Sequence, residues 1–255
     1  MTDHEEAPAT ETPRYLVVPR LRAAVGRQMT LSKTTIPHFY VSADIVVDGL
    51  LASIRQQVTS PHFQRISLTT CVAHATARTL VEHPTLNAAW SPDGFVQSDN
   101  VNLGVAIALP DGVIAPAIVD CDRLDLQETA MALEALVEGA RSGRLRAASL
   151  ASATFTVSNL GMFDIASFAA VIVPHQVGIL ALGRAGPRPV VESGTVVVRS
   201  MLTATLSADH RIVDGAEAAA FLSSFKRRLE HWVPEGDVDM SEEEAGESIA
   251  ITGKG

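Results

Sequence analysis

The sequence predicts an α+β fold, in which one mixed, largely antiparallel sheet is packed by helices in a two-layer sandwich. The first observation behind this prediction is a set of hairpin signals, because Asp93-Gly94 and Asp111-Gly112 each separate two apolar runs. The second is that amphipathic helical patterns are grouped toward the two ends of the chain. This segregation of strands and helices is typical of α+β domains and not of alternating βαβ folds.

Three helices and one strand are predicted in the first third of the chain. Leucine, valine and methionine recur at helical spacing before Ile36-Pro37, a dipeptide that ends a helix. Asp48-Gly49 and Ser67 each precede a further helical pattern and are suited to begin it. The predicted elements are a helix at 19–33, a strand at 38–47, and helices at 48–58 and 68–83.

The second half of the chain predicts a central helix, a series of strands and a final helix. The segment 125–145 has acids early and arginines late, which suits the dipole of a helix. Apolar runs that follow it are interrupted by turn signals such as Ser193-Gly194. Strands are predicted at 153–158, 168–173, 177–183, 189–192 and 195–208, and the last helix at about 215–231.

Composition predicts one folded domain at 15–233 between two disordered tails, 1–14 and the acidic 234–255. The net charge of −9 gives no electrostatic basis for binding nucleic acid or an anionic membrane. The apolar stretch at 168–183 is broken by polar residues and is too short to span a bilayer. Two cysteines without C-x-x-C spacing predict neither a disulfide framework nor a zinc site, which fits a reducing cytoplasm.

The segment from Asp209 to Gly215 is the most informative part of the chain, because it follows a strand-like run and precedes an amphipathic helix. A histidine where a strand ends and a turn begins can project into a cleft with a near-neutral pKa. His210 is therefore a candidate general base. Asp214, four residues later, is placed to fix the local geometry through an ion pair.

Structural interpretations stand beside these functional ones. Asp214 and Glu217 form a capping-box-like pair that is suited to begin the last helix. His210 fits a satisfied core histidine, Ser158 a serine at the end of a strand, and Arg22 an ordinary solvated arginine. The other histidines lack the spacing of metal ligands, so no metal site is predicted.

Four ordered segments resemble the catalytic domain of dihydrolipoamide acyltransferases, which form the core of 2-oxoacid dehydrogenase complexes and share the chloramphenicol acetyltransferase-like fold. The resemblance covers nearly all of 15–232. The segments are RLRAAVGRQMTLSKTTIPHFYVSADI at 20–45, NLGVAIALPDGVIAPAIVDCDRLDL at 102–126, FTVSNLGMFDIASFAAVIVPHQVGILALGR at 155–184 and ADHRIVDGAEAAAFLSSFKRRLE at 208–230.

The resemblance implies direct acyl transfer without a covalent acyl-enzyme. His210 is then the base that takes the proton of the attacking thiol or hydroxyl, and Ser158 donates to the oxyanion. Asp214 matches the position that buttresses the histidine loop. Its expected ion-pair partner is Arg22, and Arg211 is expected to support the same loop.

The resemblance also implies a homotrimer whose active sites lie in channels between neighbouring subunits, with the histidine from one subunit and the serine from the next. Coenzyme A, as the acyl-CoA co-substrate, enters one end of the channel, and a small-molecule acceptor enters the other. Asn159 and Ser207 flank the catalytic positions and are expected to help hold the pantetheine arm.

Three departures from the family pattern affect the expected substrate and assembly. About fourteen residues precede the domain, so we expect no lipoyl group on this chain, and an acidic segment replaces the apolar anchor that joins trimers. Val173 and His175 stand where relatives have an amide and a proline.

Three functions are therefore carried forward. The leading expectation is a stand-alone, CoA-dependent acyltransferase that acts on a hydroxyl or thiol of a small diffusible acceptor, as in tetronate-type natural-product biosynthesis. The first alternative is the catalytic core of a 2-oxoacid dehydrogenase complex, which moves acyl groups between dihydrolipoyl and coenzyme A. The second is a non-catalytic scaffold with the same fold.

Overall fold

A computed structural model describes residues 18–57, 66–145, 149 and 152–232. Both predicted tails, 1–14 and 234–255, lie outside the described residues. The helices are α1 (Arg20–Thr35), α2 (Asp48–Gln57), α3 (Leu68–Glu82), α4 (Leu126–Ser142) and α5 (Gly215–Glu230). The strands are β1 (His38–Val46), β2 (Ala88–Ser91), β3 (Gly94–Gln97), β4 (Leu103–Val105), β5 (Ile107–Leu109), β6 (Gly112–Ile114), β7 (Ala117–Ile118), β8 (Phe155–Asn159), β9 (Gly178–Leu182), β10 (Gly186–Glu192) and β11 (Thr195–Asp209).

The main sheet is mixed, as the sequence predicts. Its strand order is β1-β11-β9-β8-β4-β7, and β10 pairs with the first part of β11. Strand β8 runs parallel to β9 and β4, whereas the other pairings are antiparallel. The β2–β3 and β5–β6 hairpins lie outside the main sheet and turn at the predicted Asp-Gly positions.

Helices α2 to α5 pack on one another and on one face of the main sheet, which gives the predicted two layers. The core between the layers is mainly apolar. Phe155, Leu180 and Leu206 from the sheet and Phe221 and Phe225 from α5 are fully buried in one hydrophobic cluster. Burying side chains of this size stabilises the fold by about 2 kcal/mol each.

Polar caps fix where three of these helices begin. Ser67, Asp125 and Asp214 each form a capping box, in which the side chain accepts from the backbone N–H three residues on and the return bond is also made. At its other end, α4 stops at Gly143, which adopts the left-handed conformation with φ 67°. The predicted boundaries therefore hold to within a few residues.

The strand predicted at 168–173 is wrong, because this segment is irregular in the structure. Side chains, and not a strand ladder, satisfy its backbone. Ser32 Oγ donates to the Ile172 carbonyl at 2.6 Å, and Ser207 Oγ donates to the Ala170 carbonyl at 2.7 Å. The Ile172 N–H donates to His38 Nε2 at 3.1 Å. The segment packs its apolar residues against Ile36 of the α1–β1 connection and Ile179 of the sheet.

Two further findings bear on the expected environment of the chain. In the part that the structure describes, no helix is long and apolar enough to cross a bilayer. Cys71 and Cys121 are free and buried, and burial raises the pKa of each thiol to about 12. Neither thiol is therefore an accessible nucleophile near neutral pH.

Candidate active site

The histidine loop lies where β11 leaves the sheet. The Asp209 N–H donates to the Val177 carbonyl at 2.9 Å, and the His210 N–H donates to the Pro37 carbonyl at 3.1 Å. The chain then turns through Val213 and enters α5 at Gly215. The loop is thus held on one side by the start of β9 and on the other by the start of β1.

A buried ion pair brackets His210. The Asp209 carboxylate is 1% exposed and accepts from the Arg211 guanidinium, with Nε to Oδ1 at 2.9 Å and Nη2 to Oδ2 at 2.6 Å. The Arg211 backbone N–H also donates to Asp209 Oδ1 at 3.0 Å. This pair raises the pKa of Arg211 above its ordinary value, chiefly through the hydrogen bond to Asp209. The expected support from Arg211 has this geometric basis.

An aromatic contact extends the clamp to the β2–β3 hairpin. The guanidinium of Arg211 lies 4.6 Å from the ring centroid of Trp90, within the range of a cation–π interaction. The imidazole of His210 itself packs against Phe39, with ring centroids 4.4 Å apart. His210 is exposed, so a substrate can reach its imidazole.

Asp214 serves as the N-cap of α5. Its carboxylate accepts from the Glu217 N–H at 2.9 Å, and Glu217 Oε2 accepts from the Asp214 N–H at 3.0 Å. Among the described residues, no ion pair joins Asp214 to Arg22, which is exposed on α1 beside the β5–β6 hairpin. Within this chain, the expected Arg22 ion pair is not formed, because the cap already occupies the carboxylate and the two residues belong to different parts of the structure.

Ser158 lies near the end of β8 and lines a cavity of about 510 Å³. Its hydroxyl makes no hydrogen bond to any other group that the structure describes. The opposite wall comes from β5 and from α4, which contributes Val137 and Arg141. The rest of the lining is mainly apolar, with Ile107, Leu133, Met162 and Phe163 among it. A free hydroxyl in an apolar cleft is available as a donor.

Of the two residues expected to hold a pantetheine arm, Asn159 lines the cavity and Ser207 does not. Asn159 lines the same cavity as Ser158, and it also ties the end of β8 to α3 by donating to Thr69 Oγ1 at 3.2 Å. Ser207 is fully buried, and its hydroxyl is bonded to the Ala170 carbonyl. Ser207 therefore supports the irregular segment from beneath and is not presented to the cavity.

One chain holds Ser158 and His210 far apart. Ser158 is in register with Ala181 of β9, which is in register with Thr205 of β11. His210 follows Thr205 by five residues on a strand two places away. At about 3.3 Å per residue and about 4.8 Å per strand, this separates the two residues by roughly 19 Å. A single chain does not bring the serine and the histidine together.

His38 is a second histidine close to this loop, and its role is structural. Its Nε2 accepts from the Ile172 N–H, so its Nδ1 carries the hydrogen and donates to the Ile36 carbonyl at 2.9 Å. Burial lowers the pKa of His38 below its ordinary value of 6.5. The ring is therefore neutral and links β1 to the irregular segment. Among the described residues, no group of acids, histidines or cysteines has the geometry of a metal site.

Sequence reasoning missed several residues that shape this site. Asp209 lies in the segment Asp209 to Gly215, but the sequence analysis assigned it no role. An acid at the end of an apolar strand, with an arginine two residues later, is itself a signal of a buried ion pair. Phe39, Thr69 and Trp90 left no signal, because each reaches the site through long-range packing.

Residues 10–234 match the sequence model of the 2-oxoacid dehydrogenases acyltransferase (catalytic domain) family. The chain belongs to this family. Its described fold is also that of solved members. A probable dihydrolipoamide acetyltransferase from Listeria monocytogenes superposes with a TM-score of 0.81 at 28% identity, over 87% of this chain and 96% of that one. The cubic core of the pyruvate dehydrogenase multienzyme complex gives a TM-score of 0.81 at 28% identity, over 91% and 98%.

Curated members of the acyltransferase family are similar over the same region. The dihydrolipoyllysine-residue acetyltransferase component of the pyruvate dehydrogenase complex from Rickettsia typhi is 34% identical over 226 residues, which are 87% of this chain and 56% of the relative. The corresponding component from Zymomonas mobilis is 35% identical over 212 residues, 82% of this chain and 48% of the relative. The chain thus spans about half the length of the curated relatives that it matches.

The capping role of Asp214 makes a prediction for stability. Replacing Asp214 by alanine removes an N-cap and is expected to lower the free energy of unfolding by about 1 kcal/mol, whereas asparagine, which also caps, retains most of it. Urea titration followed by circular dichroism measures both. Asp125→Ala at the matching cap of α4 is the control. A loss for Asp125→Ala with none for Asp214→Ala would show that Asp214 does not act as a cap.

The buried neutral His38 makes a prediction for pH. A histidine whose folded pKa lies below its unfolded value contributes stability that is fully present above the unfolded value of 6.5 and is lost as pH falls through the folded value. We expect the free energy of unfolding to decrease as pH falls through 6.5 and below it. His38→Gln, which keeps one donor and one acceptor, is expected to reduce that decrease. An unchanged pH dependence in the variant would contradict this account.

Proposed function

We propose that this protein transfers an acetyl or other short acyl group between a dihydrolipoyl thiol and coenzyme A, as the catalytic unit of a 2-oxoacid dehydrogenase complex. The similarity of the chain to pyruvate dehydrogenase acetyltransferase components supports this function over the stand-alone hydroxyl acylation that the sequence led us to expect. The observation that carries the proposal is that both motif positions hold an available functional group. His210 is exposed, and the Ser158 hydroxyl lines a cavity without a hydrogen bond to any described group.

The reaction needs one base and one oxyanion donor. His210 takes the proton of the attacking thiol as its sulfur bonds to the thioester carbonyl carbon, and the carbonyl oxygen becomes negative. Ser158 donates its hydroxyl hydrogen to that oxygen. When the tetrahedral intermediate collapses, the departing sulfur leaves with the bonding electrons and receives the proton from His210. The net change is exchange of one thioester for another.

A second protomer supplies the missing half of the site. Within one chain, roughly 19 Å along the sheet separates the serine from the histidine. An interface that joins the Ser158 end of one sheet to the His210 end of the next is heterologous, and such an interface forms a ring when its rotation closes. We propose that the ring is a homotrimer, with each active site between two protomers.

Exposed apolar side chains near both half-sites support such an interface. Met162, Phe163 and Ile165, which follow β8, are 72%, 60% and 38% exposed. Tyr40, the third residue of β1 and close to the end that holds the histidine loop, is 45% exposed. Large apolar side chains left in water beside a functional group mark surfaces that a partner covers. A second copy of this chain offers both kinds of surface.

The cavity beside Ser158 suits a long, slender substrate arm. Its volume of about 510 Å³ and its mainly apolar walls are those of a small-molecule site with few polar groups. Both a pantetheine and a lipoyl chain have this character, since each carries a thiol at the end of a flexible arm. We propose that the thioester reaches Ser158 through this cleft.

A relative's catalytic residues agree with this assignment in their spacing. In Azotobacter vinelandii dihydrolipoamide acetyltransferase, a serine, a histidine and an asparagine have been investigated for their role in the catalytic mechanism. There the serine precedes the histidine by 52 residues and the asparagine follows it by four, the spacings of Ser158, His210 and Asp214 here. That structure superposes with a TM-score of 0.83 at 26% identity. The equal spacing supports the roles proposed for Ser158 and His210.

One observation keeps a hydroxyl acceptor as the second candidate. His175 adopts φ 74°, a conformation that a proline cannot reach. The family pattern has a proline at this position, so the backbone of this chain differs there from that pattern. The segment leads directly into β9, next to the histidine loop. A different backbone at this point changes the end of the site from which an acceptor approaches His210.

Activity of paired variants tests the shared site. We expect His210→Ala to lower kcat by about 10²–10⁴ and Ser158→Ala by about 10²–10³. His231→Ala, at an exposed histidine just after the C-terminal end of α5 and far from the loop, is the control that keeps full activity. When the two inactive variants are co-expressed, a trimer with interfacial sites regains about one quarter of wild-type activity, since random mixing restores one site in four. No recovery would place both groups within one protomer.

The acceptor is tested separately with purified protein and acetyl-CoA. Free dihydrolipoamide is expected to be acetylated rapidly, and mass spectrometry of the products measures transfer. A panel of small alcohols serves as the comparison. Transfer to an alcohol with none to dihydrolipoamide would overturn the proposed acceptor and favour the second candidate. Full transfer by His210→Ala would show that His210 is not the catalytic base, and no transfer by the wild type to either acceptor would favour the non-catalytic scaffold.

A further inference from the structure

The turn at 160–166 follows β8 and forms one wall of the cleft at Ser158. Three of its side chains line that cleft, those of Leu160, Met162 and Phe163. Among the described residues that line it, Phe163 is the one aromatic side chain. The turn therefore presents its bulkiest group to the same cavity as the hydroxyl proposed as the oxyanion donor.

Backbone hydrogen bonds hold both ends of this turn against the end of β9. At its start, the Leu160 N–H donates to the Leu182 carbonyl at 3.0 Å. Near its other end, the Ile165 carbonyl accepts from the Arg184 N–H at 2.7 Å. The Arg184 guanidinium also pairs with the Asp164 carboxylate, with Nε to Oδ1 at 2.8 Å. The position of the turn is therefore fixed relative to the sheet.

Gly183 lies between the two anchors on the sheet, and the turn passes over it more closely than a side chain permits. A Cβ atom at this position would stand 1.9 Å from the Ala166 carbonyl oxygen, the shortest such distance at any glycine that the structure describes. Cβ atoms in proteins do not approach other heavy atoms more closely than 3.0 Å, so an alanine here would displace the turn by about 1 Å. The backbone of Gly183 is not left-handed, so space and not conformation requires glycine.

The position of this wall bears on the acyl group of the substrate. An oxyanion donor lies about 2.7–3.1 Å from the oxygen that it stabilises, so a reacting thioester brings its carbonyl group next to Ser158. The first carbons of the acyl chain are bonded to that carbonyl, and they share the cleft with the Phe163 ring. The space left by the ring then limits how many carbons the acyl chain can carry.

We propose that the 160–166 turn, held in place by Gly183, limits the size of the acyl group that the cleft accepts, with Phe163 as the side chain that sets the limit. The inference rests on the proposed function, because it concerns the thioester that meets Ser158. Phe163 is the specificity-determining residue. Gly183 is a positioning residue, since it is absent from the lining of the cleft and acts through the turn.

A role in assembly and a role in acyl selectivity have different signatures. Met162 and Phe163 remain 72% and 60% exposed in one chain, so a partner protomer can also cover them. A change that acts through assembly alters the transfer of every acyl group alike. A change in the wall of the cleft alters the ratio between a longer and a shorter acyl group.

Isothermal titration calorimetry of the full chain with acetyl-CoA and with butyryl-CoA, without an acceptor, tests the size limit. Phe163→Ala is expected to raise the affinity for butyryl-CoA relative to acetyl-CoA by about ten-fold or more, since a methylene against a fitted wall is worth about 10–200-fold. Gly183→Ala displaces the turn and is expected to change the same ratio. Gly49→Ala, at an exposed glycine of α2 with open space around it, is the matched control and leaves the ratio unchanged.

A second turn variant covers the case in which Gly183→Ala does not fold. Asp164 adopts φ 60°, so Asp164→Gly keeps this conformation accessible while it loosens the turn and removes the pair with Arg184. It is expected to shift the ratio in the same direction as Phe163→Ala. The positioning role is overturned if every turn variant that folds keeps the wild-type ratio.

Two further measurements separate this inference from the proposed function. The kcat/KM values for transfer from both thioesters to dihydrolipoamide are expected to follow the binding ratio, and light scattering reports the assembly of each variant. An unchanged ratio in Phe163→Ala overturns the size limit, and so does an equal loss for both thioesters together with a loss of assembly. A wild type that shows the size preference in binding but does not acetylate dihydrolipoamide overturns the proposed function alone. No saturable binding of either thioester overturns both.

Discussion

The buried carboxylate of Asp209 is the constraint on which the histidine loop depends. It is 1% exposed, and a charge at such a position is tolerated only when it is paired and hydrogen-bonded. Arg211 supplies that pairing through its side chain and its backbone N–H. Because the two residues flank His210, the same bonds that neutralise the carboxylate also fix the direction in which the imidazole leaves the strand.

The long strand β11 transmits this constraint to the rest of the molecule. It pairs with β10 along its first part and with β1 and β9 along its last part, so two neighbours hold the end of β11 before the loop begins. The same register that holds His210 in place also keeps it away from Ser158 at the far end of β8. The rigidity of the sheet thus keeps the two residues apart within a single chain, and this separation is the basis for the proposed site between two protomers.

The helical layer has its own electrostatic feature. A protein with an excess of acids nevertheless gathers arginine and histidine side chains around one cavity between the middle of α3, the start of α4 and the C-terminal end of α5. Arg228 and Trp232 lie within the last turn of α5 or just after it, so their geometry follows from where that helix ends. The cap at Asp214 sets the start of the helix and the core residues Phe221 and Phe225 set its rotation.

The sequence by itself determined the elements that local signals specify. The Asp-Gly hairpins, the caps at Ser67 and Asp214, and the strand that ends before His210 follow from residues close in the chain, and the motif order pointed to the family. Tertiary structure alone decided contacts between distant residues. The apolar run at 168–173 forms no strand because Ser32, His38 and Ser207 satisfy its backbone. Asp214 caps a helix and makes no pair with Arg22, since a side chain bonds whichever group the fold brings near.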